Sequence, residues 1–160
     1  MSDDRAAITE LLYRYAELID AGDFDGLGAL RAEAEFGGPR TPRARGAAQI
    51  AALFAATTRR FADGTTKTRH LVLNPIVEIG GDTARARSTF CVVQATDRVA
   101  LQPIVVGRYF DRFARDPGAD VSPGSPGGWR FTERVAEVEM VGEVCDHLLV
   151  DPGAYDRGTE

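Results

Sequence analysis

The spacing of apolar residues changes near residue 65, and this change constrains the fold more than any other feature of the chain. Apolar residues recur at intervals of three and four up to about residue 61, and at every second position from about residue 67. A helix brings residues three and four apart onto one face, whereas a strand alternates its faces. The sequence therefore predicts an α+β domain in which helices come first and cover one face of a meander of long antiparallel strands.

Three helices are predicted before the change. The first carries an apolar stripe from Ile8 to Ile19 and ends near Gly22, a residue suited to a helix C-terminus. The second and third are expected at about 23–32 and 46–61. A short strand at 34–36 and the loop GGPRTPRAR separate them.

Four long strands are predicted after the change, at about 67–79, 83–97, 101–114 and 128–141. Gly80-Gly81-Asp82 predicts a tight hairpin between the first two. Asn74-Pro75 can form a bulge that changes the phase of the first strand. The stretch 116–128, rich in Gly and Pro, is expected to be a flexible loop.

Length and composition indicate an ordinary globular protein. The 160 residues predict one domain, 44% of them are hydrophobic, and the net charge is -5 with the basic residues scattered. This charge distribution argues against a nucleic-acid surface.

We expect no membrane span and a cytoplasmic location, since no stretch approaches about 18 apolar residues and no apolar signal region is seen. No phosphate loop, dinucleotide fingerprint or spaced metal ligands occur, so we expect no cofactor and no metal.

His70 is the best chemical lead. It lies in the alternating run TRHLVLN and shares a face with Val72. Histidine exchanges a proton near neutral pH, so His70 is either a general base or a structural hydrogen-bonding residue. The second histidine, His147 in CDHLL, is expected at the surface rather than at a metal.

Asp20 and Tyr15 are the candidate partners of His70. Asp20 ends the first helix, where the helix dipole disfavours a carboxylate, so it needs a donor such as an imidazolium. It can also be a simple turn residue. Tyr15 brings a phenol to the same buried stripe, either for chemistry or as a core aromatic.

Arg134 is predicted to point inward from the last strand. Alternation places it on one face with Thr132, Ala136, Val138 and Met140. A buried arginine is rare unless it is paired or functional. It either acts on a ligand or neutralises a buried acid such as Asp20 or Asp111.

Three motifs carry a family resemblance: YAELIDAGDFDGL, TRHLVLNPIVEIGGDTARARS, and VGRYFDRF followed by GGWRFTERV. With the order of elements, they resemble the SnoaL-like group of the nuclear transport factor 2-like superfamily, over about 5–149 of a single domain 1–160 with a flexible C-terminal tail. The resemblance implies a cone-shaped barrel, in which a curved mixed sheet is closed by three N-terminal helices around a deep apolar pocket. Members include scytalone dehydratase, bile-acid dehydratase, hexachlorocyclohexane dehydrochlorinase, ketosteroid isomerase and polyketide cyclases, and some members have no known catalysis.

The resemblance carries over residue by residue. The dehydratases and the dehydrochlorinase use an Asp at the end of the first helix and a His on the first long strand, matched here by Asp20 and His70. A tyrosine about five residues before the Asp is matched by Tyr15, and an arginine after a strand Trp is matched by Arg134. The second histidine of scytalone dehydratase has no match, because Phe90, Val92 and Gln94 occupy its strand. Its second tyrosine is also missing at the expected place.

These residues imply a lyase (dehydratase-like) or an isomerase or cyclase that needs no cofactor and acts on a small hydrophobic cyclic molecule. His70 is the expected base, Asp20 orients it, and Tyr15 and Arg134 stabilise negative charge. The expected apolar walls are Phe24, Phe36, Phe54, Val72, Phe90 and Met140. A non-catalytic binding protein and an assembly subunit of the same fold are the alternatives. Relatives associate through the outer sheet face, so a homodimer or homotrimer is expected through the surface that carries Arg85, Arg87, Glu133, Glu137 and Glu139.

Overall fold

The computed structural model describes residues 2–39, 43–116, 118 and 125–151. Its helices are α1 (Ser2–Asp20), α2 (Phe24–Leu30) and α3 (Gly46–Thr57). Its strands are β1 (Glu35–Gly37), β2 (Ala44–Arg45), β3 (Thr68–Gly80), β4 (Thr83–Gln94), β5 (Gln102–Arg115) and β6 (Trp129–Val141). A single 3₁₀ turn, Pro126–Gly128, leads into β6.

The strands form one six-stranded sheet in the order β2-β1-β6-β5-β4-β3. Neighbouring strands are antiparallel except for β1 and β6, which are parallel. The buried apolar residues of the three helices and of the inner sheet face join in one core. The α+β class and the helical layer on one face are thus confirmed, with a mixed sheet that is open rather than closed.

Helix α1 is fixed at both ends. Its stripe is buried as predicted, with Ile8, Leu11 and Leu12 fully inaccessible. Asp4 in its first turn accepts hydrogen bonds from Trp129 Nε1 and Arg115 Nη1, both at 2.9 Å. After its last residue Gly22 takes φ +71°, and a Cβ there would collide with the carbonyl oxygen of Gly64.

Several predicted boundaries need correction. Helices α2 and α3 end at Leu30 and Thr57, earlier than the apolar spacing indicates. The predicted Gly/Pro/Arg loop contains the short strand β2, which pairs with β1. The strand predicted at 83–97 ends at Gln94.

Bulges decide which side chains face the core. The pairing of β3 with β4 shifts between Leu73 and Ile76, and Asn74 takes φ +51°. Val77 is therefore buried, whereas Ile76 is 47% exposed. The bulge suggested by Asn74-Pro75 is present and changes the phase as predicted.

Two further shifts in β6 overturn part of the predicted inner face. One shift lies between Arg112 and Phe113 of β5, so that Phe131 and Arg134 both point inward. Thr132, predicted to point inward, falls at that shift and is half-buried.

The other shift places Met140 opposite Val106 on the outer face, where Met140 is 58% exposed. The prediction that Met140 walls the interior is wrong, because each extra residue in a strand inverts the alternation that follows. Val138, predicted to face inward as well, is 50% exposed.

Two predictions fall mainly or wholly outside the described residues. These are the flexible loop 116–128, of which 116, 118 and 125–128 are described, and the C-terminal tail after about residue 149, of which 150 and 151 are described. In the described part of the chain, no helix combines the length and apolar character needed to cross a membrane.

Candidate active site

Asp20 and His70 are in direct contact. His70 Nδ1 lies 2.6 Å from Asp20 Oδ1, and the backbone N–H of His70 donates to Oδ2 at 2.9 Å. The Thr68 hydroxyl donates to Oδ1 at 2.8 Å. Three donors from β3 therefore hold a carboxylate that the end of α1 alone would disfavour.

Thr66 joins the end of α1 to the start of β3. Its backbone N–H and its hydroxyl both donate to the carbonyl oxygen of Asp20 at 3.3 Å. The hydroxyl groups of Thr66 and Thr68 are 2.6 Å apart. Hydrogen bonds thus hold both the backbone carbonyl and the side-chain carboxylate of Asp20.

The tautomer of His70 follows from this contact. An ionised carboxylate only accepts hydrogen bonds, so we assign the proton to Nδ1 and the lone pair to Nε2. Among the described residues, the only hydrogen bond of the His70 ring is the one through Nδ1. A buried imidazole that is oriented by a carboxylate and keeps Nε2 free has the arrangement of a general base.

Tyr15 and Arg134 lie in another part of the interior from the contact between Asp20 and His70. Arg134 donates to both oxygens of Asp111, at 2.6 and 2.8 Å. Its guanidinium carbon is 4.2 Å from the ring centre of Tyr15 and 3.8 Å from that of Tyr109. Of Asp20 and Asp111, the two acids expected as partners of Arg134, the structure selects Asp111.

Burial and charge set the protonation of this cluster. Burial opposes the charged form of Arg134, but Asp111 more than offsets this and raises the pKa of Arg134 above its ordinary value. Burial, reinforced by Tyr15, raises the pKa of Tyr109 well above its ordinary value. Tyr109 is therefore a neutral phenol that can donate a hydrogen bond.

The strand register separates the His70 contact from the Arg134 cluster. His70 is opposite Val92 on β4, whereas Asp111 is opposite Ala86, six residues earlier in the same strand. Tyr15 on α1 is five residues before Asp20 and contacts the Arg134 guanidinium. It therefore lies between the two groups.

The predicted apolar walls, apart from Met140, lie in one interior between helices and sheet. The Phe54 ring centre is 6.0 Å from Phe24 and 5.1 Å from Phe36, and Phe90 stacks on Tyr109 at 4.3 Å. Val72 is half-buried and opposite Phe90. Because these rings contact one another, a cyclic ligand would have to separate them.

Comparison with known proteins identifies the family. The model of the SnoaL-like domain matches residues 1–135. The chain belongs to the SnoaL-like domain family.

Solved structures agree with this assignment. An NTF2-like protein with a cystatin-like fold from Novosphingobium aromaticivorans is 29% identical to this SnoaL-like protein, with a TM-score of 0.65 over 84% of this chain and 81% of that one. A candidate scytalone dehydratase from the same organism is 20% identical, with a TM-score of 0.65 over 89% of this chain and 91% of that one. ActVI-ORFA from Streptomyces coelicolor is 21% identical, with a TM-score of 0.64 over 84% and 96%. The last two similarities show the fold alone, and no curated protein gives a significant match.

His147 is a residue of this SnoaL-like protein that sequence reasoning placed wrongly. It is buried, and its ring centre is 5.9 Å from that of His70. Burial, together with the nearby His70, lowers the pKa of His147 to about 3, so it is neutral at pH 7. The segment CDHLL has no periodicity, and it is brought inward by a bridge between Leu148 and Thr58 that only the fold reveals.

Arg31 is the second residue that sequence reasoning missed. It caps the C-terminus of α2, is fully buried, and lies over the rings of Tyr15, Phe36 and Phe131 at 5.1, 4.7 and 5.0 Å. Burial, reinforced by Arg134, lowers the pKa of Arg31 to about 10. Its position four residues after the buried Leu27 is the signal that could have found it.

The described residues include no cluster of three or more His, Cys, Asp or Glu side chains suited to hold a metal ion.

Proposed function

We propose that this SnoaL-like protein is a cofactor-independent lyase of the dehydratase type, or an isomerase or cyclase, that removes a proton from a small hydrophobic cyclic substrate. The observation that carries the proposal is the 2.6 Å contact between His70 Nδ1 and Asp20, which orients the ring and turns Nε2 away from the carboxylate. Geometry of this kind converts a histidine into an oriented base.

His70 Nε2 takes a proton from a carbon next to the substrate carbonyl. The C–H electron pair becomes an enolate, and the imidazolium that forms is stabilised by Asp20. In an elimination the enolate electrons re-form the carbonyl and a C=C bond while the β-hydroxyl leaves, taking the proton from His70 to depart as water. In an isomerisation the proton returns to another carbon. A positioned base contributes roughly 10²–10⁴-fold to such a step.

Two phenols can stabilise the enolate oxygen. Tyr15 and Tyr109 lie edge to face with ring centres 5.8 Å apart, and both are buried. The Arg134 guanidinium lies over both rings and polarises them. Tyr109 is the candidate for the second phenol, which the family resemblance leads us to expect at another place in the chain.

The test uses cyclic ketones with a β-hydroxyl group as substrates. Formation of the conjugated enone is followed by ultraviolet absorbance with the wild-type protein, His70→Ala and Asp20→Asn, with circular dichroism as the check of folding. Both variants should retain the fold and lose turnover by at least about 10². Turnover that survives both substitutions contradicts the proposal. Ligand binding with no turnover by the wild type also contradicts it, in favour of a binding protein.

A further inference from the structure

Two adjacent buried arginines have nitrogen atoms without partners. Arg31 Nε, Nη1 and Nη2 and Arg134 Nη1 are all buried and make no hydrogen bond within the described part of the chain. Both side chains are completely inaccessible to solvent. A buried charged donor that lacks an acceptor destabilises a fold, so a fold retains one chiefly where a ligand supplies the acceptor.

The charges around these arginines do not balance. Asp111 pairs with Arg134. Arg31 contacts three aromatic faces instead, and no carboxylate of the described residues forms an ion pair with it. Ring faces attract a cation but leave its N–H groups without acceptors. With a pKa of about 10, Arg31 is protonated at neutral pH, so this part of the interior carries one uncompensated positive charge.

We propose that Arg31, together with Nη1 of Arg134, forms a binding subsite for the carboxylate of a cyclic organic acid. The planar guanidinium presents paired donors that match the two oxygens of a carboxylate, and a monoanion balances the single excess charge. The rings of Tyr15, Phe36 and Phe131 surround the same guanidinium and suit an apolar ring attached to the acid.

The position of the subsite relative to His70 defines the substrate class. Across the sheet, Asp111 pairs with Arg134 on one side and with Ala86 of β4 on the other, whereas His70 pairs with Val92 of β4. An acid anchored at Arg31 would thus direct the far side of its ring system past Tyr15 towards His70. Ser88 Oγ, buried and without a partner among the described residues, lies between Ala86 and Val92 on β4 and can bind a substituent. The claim that the bound acid is the substrate rests on the proposed function. The claim that the subsite binds a carboxylate does not depend on it.

The test compares benzoate with its neutral analogue benzamide by isothermal titration calorimetry at pH 7. We expect the wild type to bind benzoate in preference to benzamide, and Arg31→Met to weaken benzoate binding at least tenfold. Arg5→Met, which removes an exposed arginine of α1, is the matched control and should bind benzoate normally. His70→Ala should also bind benzoate, so loss of catalysis and loss of the anion site can be told apart.

A second measurement on the unaltered protein covers the case in which Arg31→Met does not fold. The arginine Nε–H signals in a ¹⁵N NMR spectrum should include one that shifts with benzoate and not with benzamide. Equal binding of benzoate and benzamide by the wild type, or unchanged benzoate binding by a folded Arg31→Met, would overturn the proposal.

Discussion

Asp20 and the two histidines show how single residues acquire their chemistry from contacts that are distant in sequence. Asp20 receives three donors from Thr68 and His70, about fifty positions later in the chain. His147, in the C-terminal turn, has its ring centre 5.9 Å from that of His70 and is held neutral by burial. A neutral neighbour does not repel the imidazolium that forms on His70 when it takes a proton.

His147 makes stability depend on pH. Its pKa in the folded protein is about 3, below the ordinary 6.5, so the unfolded chain binds the extra proton between these values. The stabilising contribution of the neutral imidazole is present above pH 6.5 and is lost as pH falls towards 3. Between pH 7 and pH 5 we expect about 2 kcal/mol of unfolding free energy to be lost through this residue.

Urea denaturation of the wild type and of His147→Phe at both pH values checks this. The variant should lose less stability than the wild type between pH 7 and pH 5. Equal losses in the two proteins would show that His147 does not titrate in this way.

Sequence reasoning could find some of the site residues and not others. His70, Asp20 and Arg134 each conflict with a local expectation: a polar side chain on an apolar face, a carboxylate at a helix C-terminus, and an arginine pointing inward. Arg31 and His147 produce no such local conflict, because one follows the end of α2 and the other lies in an irregular turn. The burial of His147 depends on a tertiary contact that no periodicity contains, whereas Arg31 has the single signal of its spacing from the buried Leu27.

At the scale of elements, the bulges of the long strands set the shape of the interior. Regular alternation correctly predicts that His70 and Phe90 face the interior, because β3 and β4 pair without a register shift over the stretch that contains them. It fails for Met140, which follows two shifts in β6. The Asn74-Pro75 bulge has a sequence signal, since Pro lacks an N–H and Asn tolerates positive φ.

Gly107 gives a test at this scale. It lies on β5 beneath the Phe90 ring, and a Cβ there would come within 2.8 Å of two ring atoms and would also collide with the carbonyl oxygen of Glu137. We expect Gly107→Ala to lower the unfolding free energy by about 1–3 kcal/mol, because ring and strand must move apart.

The matched control is Gly80→Ala at the end of β3, where a Cβ meets nothing within 4 Å. Chemical denaturation should leave Gly80→Ala close to the wild type. Gly107→Ala with wild-type stability would mean that Phe90 is not held over β5.

At the scale of the whole molecule, the outer sheet face exposes apolar residues. Four apolar residues form a row across it: Leu71 is opposite Cys91, Cys91 opposite Val106, and Val106 opposite Met140. Leu71 is 41% exposed and Met140 58%. We propose that this row, bordered by charged residues such as Arg108 and Glu139, joins copies of the chain in a homodimer or homotrimer.

Light scattering coupled to size-exclusion chromatography tests the association. Val106→Lys places a charge in the middle of the row and should give a monomer of 17.3 kDa, whereas the wild type should have two or three times that mass. Leu101→Lys, at a residue 76% exposed and outside the row, should behave as the wild type does. A monomeric wild type, or a Val106→Lys variant that still assembles, would rule out this surface.

The most direct test of the central claim, that His70 oriented by Asp20 is a general base, measures proton removal alone. In D₂O, proton NMR follows the exchange of the α-hydrogens of 1-tetralone, a cyclic ketone without a leaving group. The wild type and Arg5→Met should accelerate exchange over buffer, and His70→Gln and Asp20→Asn should lose roughly 10²–10⁴ of that rate. A His70→Gln variant that exchanges at the wild-type rate, or a wild type no faster than buffer, would contradict the account.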